Sequence, residues 1–157
     1  MPMTPPYFLN VDLDIESKSS LRSLERELGD RVCVMFSGRM NGRHCLFVES
    51  AGTAKSHDAI IVALCALIED LSPRNRQVWN AALRKEFDLG YESRLASRRA
   101  NRFTIRPATL RRVAELGAGV AVTFYAEQKG EPVPQASGSQ PVRSRKKRAQ
   151  SAGDSRR

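Results

Sequence analysis

YFLNVDLDIES, Tyr7 to Ser17, decides the fold class. Tyr7, Leu9, Val11, Leu13 and Ile15 alternate with Asn10, Asp12, Asp14 and Glu16, and only Phe8 breaks the pattern. A period of two is the signature of a strand with one buried face and one wet face. The apolar set points to a core, and the three carboxylates share the opposite side. Sheets with one solvated face are typically antiparallel, whereas parallel sheets bury both faces. The domain is therefore expected to be built around a mostly antiparallel sheet with helices on one side.

The segments that follow fit that frame. Ser19 or Ser20 can cap a short helix whose Leu21, Leu24 and Leu28 recur at helical spacing, and Gly29 stands where a helix-ending glycine belongs. VCVMF then reads as a strand. MNGRHCLFVE reads as a hairpin, because Asn41-Gly42 accommodates positive φ at both central turn positions. Val32–Ser37 and Arg43–Glu49 should pair antiparallel, with opposed residue numbers summing to 83. AIIVALCALIEDL, Ala59 to Leu71, is apolar almost all round, as a core helix would be. Ser72-Pro73 opens another helix with a serine cap and a proline at its first position, and Trp79 and Leu83 should share its inner face. Phe87, Leu89 and Tyr91 alternate in a further strand. FTI comes next, then a helix from Pro107 with Leu110, Val113 and Ala114 inward, and VAVTFY is the last strand.

These elements predict an α+β two-layer sandwich: a mixed, mostly antiparallel sheet of five to six strands carrying three to four helices. ELGDRVCVMF, from Glu27, and ELGAGVAVTF, from Glu115, are identical at six of ten positions. The match points to either a duplicated strand–helix–strand unit or the shared demands of a helix–glycine–strand junction. Residues 1–127 are expected to form the single domain. Residues 128–157 are rich in Pro, Gly and Ser, basic and aperiodic, which predicts a disordered tail.

The net charge of +9 is unevenly placed. Residues 1–93 hold 11 basic and 13 acidic groups, whereas residues 94–112 hold seven arginines and no acid. Those seven, Arg94, Arg98, Arg99, Arg102, Arg106, Arg111 and Arg112, are the candidate binding residues, because clustered cations attract phosphates or an acidic partner. Arg143, Arg145, Lys146, Lys147 and Arg148 add charge in the tail. The bland alternative is a solvated loop and a solubilising tail.

Other chemistry finds little support. Asp12 and Asp14 are the metal-ligand candidates, but they lie about 6–7 Å apart along a strand and further oxygens must come from elsewhere. The preferred reading is a wet strand face, with an Arg or Lys on a neighbouring strand able to pair across to the acids. Cys33, Cys45 and Cys65 are odd in number and lack a CxxC pair, which suits buried free thiols in a reducing compartment. The hairpin register puts Cys33 and Cys45 on opposite faces. His44 and His57 lack metal-ligand spacing, and GAG at Gly117–Gly119 precedes a strand where a dinucleotide loop would precede a helix. No catalytic motif, cofactor or metal is expected. No run approaches the ~20 apolar residues of a membrane helix, and no signal peptide is evident, so a cytoplasmic location is expected.

YFLNVDLDIES with the later FDLGYE and PATLRRVAELGAGVAVTFY resembles a group of uncharacterised bacterial α+β domains of unknown function, over about residues 7–125. The resemblance implies a cytoplasmic bacterial domain and brings no catalytic residue with it. The leading expectation is a non-enzymatic binding module, presenting a sheet face or the arginine segment to another macromolecule, with a protein as the expected partner. The alternative is an accessory nucleic-acid binder using Arg94–Arg112 and the tail. A metal-dependent enzyme at Asp12 and Asp14 is the third reading.

Overall fold

The computed structural model describes residues 7–93 and 102–126. All of them fall in one compact unit, Met1–Glu127. The elements run β1 (Tyr7–Ser17), α1 (Arg22–Leu28), a 3-10 turn (Gly29–Arg31), β2 (Val32–Met40), β3 (Arg43–Ser50), α2 (His57–Glu69), α3 (Pro73–Ala81), β4 (Arg84–Ser93), α4 (Pro107–Glu115) and β5 (Gly119–Ala126). The five strands form one sheet in the order β2-β3-β1-β4-β5. All neighbours are antiparallel except β4 and β5. This is the α+β sandwich that the alternation in Tyr7–Ser17 predicts, with that strand at its centre. The expected tail, residues 128–157, lies outside the described residues.

Local chemistry accounts for the element boundaries. Asn41 and Gly42 take φ of 49° and 77°, and Met40 faces Arg43, so the hairpin closes in the expected two-residue turn. Ser56 accepts from the Ala59 N–H at 3.2 Å to start α2, and Ser72 accepts from Asn75 N–H at 3.4 Å to start α3 behind Pro73. Caps of this kind stabilise a helix by ~1 kcal/mol each. Arg31 donates to the carbonyls of Glu27 and Leu28, meeting the otherwise open end of α1.

The core lies between the sheet and the helix layer. Val11, Leu13 and Ile15 from β1, Leu46 and Val48 from β3, and Phe87, Leu89 and Tyr91 from β4 meet Leu24, Leu28, Ile61, Leu64, Ile68 and Trp79 from the helices. Each such side chain stabilises the fold by roughly 1.5–3 kcal/mol when fully buried. Trp79 is completely enclosed, donates its Nε1–H to the Leu116 carbonyl at 2.9 Å, and carries the Lys85 ammonium 5.7 Å from its ring centre. A polar brace joins α1 to α3: the Glu27 carboxylate accepts from the Ser72 N–H at 2.6 Å, the Ser72 hydroxyl at 2.7 Å and the buried Asn75 amide. Those donors hold the Glu27 carboxyl below its ordinary range.

Three local expectations are corrected. Leu83 lies beyond the end of α3 and is exposed, because its N–H already pairs with the Glu16 carbonyl at 2.7 Å as the chain enters the sheet. In α4 the inward stripe is Thr109, Val113 and Leu116, and both Leu110 and Ala114 are exposed. The roll of that helix is set by Arg112, which must reach Glu69 on α2, and by the Leu116 carbonyl, which must reach Trp79. Cys33 and Cys45 project to the same face. A β-bulge between Val34 and Phe36 adds one residue to β2 and reverses the parity of everything before it.

The two similar segments occupy comparable passages. Each follows a strand and a short helix and turns at a glycine with positive φ, Gly29 at 56° and Gly117 at 66°. Their strands differ in placement: β5 lies directly beside β4, whereas β3 separates β2 from β1.

Candidate functional site

Among the described residues, the helices cover one face of the sheet and leave the other without a helix. Successive strand positions alternate between the faces, so the side opposite Val11, Leu13 and Ile15 can be read row by row across the strands. One row runs Cys33, Glu49, Asp12, Asp88, Ala121. The next contains Phe36, Phe47, Asp14, Glu86 and Gly119. A third contains Gly38, Cys45, Glu16 and Arg84. Six carboxylates from three adjacent strands thus share one surface with the guanidiniums of Arg84 and Arg43.

The charge is not evenly balanced. Arg84 binds Glu86 at 2.6 Å, Glu16 at 2.8 Å and Asp14 at 3.4 Å, and Arg43 reaches Glu16 at 3.4 Å. This is the cross-strand pairing expected of the acids, made between directly opposed Glu16 and Arg84. Hydrogen bonds to Glu86 and Glu16 strengthen the hold of Arg84 on its proton. Among the described residues, the row above lacks such a partner. Asp12 stands between Glu49 and Asp88, and like charges directly opposite destabilise a sheet. Burial, followed by the Glu49 charge and its hydrogen bond, pushes the Asp12 carboxyl up to about 7. One Asp12 oxygen is buried without a hydrogen-bond partner. Burial also raises Asp14, against the pull of Arg84. Asp88 accepts from the Thr123 hydroxyl at 2.8 Å, which closes the acidic area on the β5 side. On the β3 side it is flanked by Phe36 and Phe47, whose rings pack 5.6 Å apart.

Among the described residues, no group of three or more His, Cys, Asp or Glu is placed to hold a metal ion. Asp12 and Asp14 belong instead to a broad carboxylate surface. Cys33 and Cys45 also lie on this face but four residues apart in register, about 13 Å along the strand, and both are free thiols. Cys65 is deep in α2, where burial pushes its thiol up to about 11. No helix among the described residues is long and apolar enough to cross a membrane.

The seven candidate arginines divide. Arg94, Arg98 and Arg99 lie outside the described residues. Arg102 and Arg111 are exposed. Arg106 binds Asp58 through its backbone N–H at 2.9 Å and its Nε at 2.6 Å, and Arg112 forms a two-pronged pair with Glu69 at 2.8 and 2.6 Å. Both tie α4 to α2. Burial raises the Asp58 carboxyl, but the bonds from Arg106 and Thr109 outweigh it and hold the group low. The partner of each arginine was not visible in composition, because Asp58 and Glu69 are more than forty residues away. Glu49, Glu86 and Asp88 were missed as surface residues. For Glu86 and Asp88 the signal was the alternation of Glu86, Asp88 and Glu92 with Phe87, Leu89 and Tyr91, which repeats that of β1.

No protein-family model matches this chain, and neither the curated proteins nor the solved structures give a match to it.

Proposed function

We propose that the chain is a protein-binding module whose open sheet face docks a basic surface or segment of a partner protein. The observation that carries the reading is the row Glu49, Asp12, Asp88: three carboxylates opposed across three strands, one with a buried, unpartnered oxygen. Stability alone disfavours that arrangement, since any one amide or hydroxyl there would relieve the repulsion. A lysine or arginine from a partner would neutralise the row and favour the ionised form of Asp12. Phe36 and Phe47 beside it offer an apolar flank for the stem of such a side chain. Complementary charge of this kind speeds encounter and selects among partners. The arginine segment is a weaker basis for binding, because Arg106 and Arg112 already spend their charge within the domain.

The test uses a synthetic arginine-rich peptide and the full chain, with backbone amide shifts recorded on titration. Shifts are expected along β1, β3 and β4, weakening as salt rises past the ~10 Å screening length of 0.1 M. They should be lost in the triple variant Asp12→Asn, Glu49→Gln, Asp88→Asn. Shifts confined to the helix side, or undiminished binding by the triple variant, would overturn the reading. Single-stranded DNA titrated in parallel addresses the phosphate-binding alternative: binding there with none to the peptide also overturns it.

A further inference from the structure

We propose that β5 is the seam of a symmetric homodimer, in which a second copy of the chain adds its own β5, antiparallel, to the outer edge of the sheet. GVAVTFYA, Gly119 to Ala126, contains no charged residue and no proline. It pairs with β4 in unbroken register along its whole length, so no bulge twists it away. Among the described residues nothing pairs with its outer side. Unpaired backbone N–H and C=O groups therefore line the edge of a regular apolar strand, the arrangement that folded proteins ordinarily guard against. The helix layer stops short of it: Val120, Val122 and Phe124, on the helix side, are 37%, 52% and 65% exposed.

The opposite edge is guarded. β2 carries the bulge between Val34 and Phe36 and a charged Arg39. This difference selects the kind of assembly. Pairing β5 of one copy with β2 of the next would leave fresh edges and propagate into a filament, whereas β5 against β5 closes on itself.

Charge points to a second copy as the occupant. Paired with itself, the strand brings no like charges together. The acids end on β4, with Glu86, Asp88 and Glu92, and Thr123 caps Asp88 on the β5 side. Carboxylates on the two copies of β4 would be separated by at least three strand spacings, about 14 Å, beyond the ~10 Å screening length of 0.1 M salt. Both open faces can therefore extend one continuous sheet without a strong electrostatic cost. Matching faces requires the twofold axis to pass through a residue. With the axis at Val122, Phe124 lies across from Val120 of the other copy, an aromatic to β-branched pair, and Tyr125 lies across from Gly119, whose Cβ position is open. A seam of one strand pair is small beside the ~1,200–2,000 Å² of stable complexes, so the dimer is reversible.

Sedimentation equilibrium on the full chain tests this, with circular dichroism to check folding. A monomer–dimer equilibrium is expected, and Val122→Lys should weaken it at least about tenfold while leaving peptide binding at the acidic face intact. In a Cys33→Ser background, Val122→Cys should form a disulfide-linked dimer on mild oxidation, which tests the seam even if the lysine variant misfolds. A monomer at every concentration, a dimer untouched by Val122→Lys, or absence of the Val122→Cys cross-link would overturn the proposal. Because the peptide assay reads a different face, failure of the dimer and failure of the binding reading are told apart.

Discussion

At the residue scale the decisive group is Asp12. Its carboxyl keeps a proton in the fold up to about 7, whereas the ordinary value is 3.8. Between those two values the folded chain binds more protons than the unfolded one, so this group makes stability fall as pH rises across the window. Asp12→Asn removes the penalty. It should raise the unfolding free energy at about pH 8 by ~1–2 kcal/mol after allowance for screening by water at this half-open site. Near pH 4 the effect should shrink towards zero, and urea titrations at the two pH values check both statements. The same carboxyl couples docking to protons: a cation seated beside Asp12 favours its ionised form, so a basic peptide should bind more tightly as pH rises through about 7. Calorimetry in buffers of different ionisation enthalpy would register the released proton. Glu27 has the opposite sign. Its carboxyl is held low by Ser72 and Asn75, so what it contributes is present above the ordinary glutamate value and lost as pH falls through the depressed one.

At the element scale the hairpin and the clamped helix make separate tests. Gly42 holds φ at 77° with open space around its Cβ position, so Gly42→Ala meets no clash and isolates backbone strain. A loss of ~1 kcal/mol is expected by thermal or denaturant unfolding. The Arg112–Glu69 pair is two-pronged but partly exposed. A double-mutant cycle with Arg112→Ala and Glu69→Ala should give a coupling of ~0.5–1 kcal/mol, and it should disappear as acid titrates Glu69. These elements also mark what can be read from sequence. β1, the Asn41-Gly42 turn and the Ser72-Pro73 start were legible because their signals are local: a period of two, positive φ, a capping hydroxyl. The roll of α4 was only half legible: Val113 is inward as expected, but Leu110 and Ala114 fit a helical stripe with it as well as Thr109 and Leu116 do, and the choice is made by Glu69 and Trp79 on other elements. Nor was the side of the sheet on which Cys33 lies, because one extra residue near Met35 leaves no compositional trace. The acids of Tyr7–Ser17 were visible as a row. That Asp12 would meet Asp88 and Glu49 depended on strand order, which the alternation does not encode.

At the scale of the whole molecule, the two layers divide the labour: the helix side holds the fold together and the bare side presents charge. The described core lies entirely within Met1–Glu127. Removing residues 128–157 should therefore leave the melting temperature and the response to an arginine-rich peptide unchanged. A fall in melting temperature on truncation would show that the last thirty residues belong to the folded body. The separation of layers also settles how the protein can be watched. Trp79 is its sole tryptophan, sealed against Leu116 on the side away from the carboxylates. Excited in the near ultraviolet, it should emit at short wavelength and resist aqueous quenchers. That glow should stay constant while a ligand settles on the acidic face, and shift to the red only when the core itself opens.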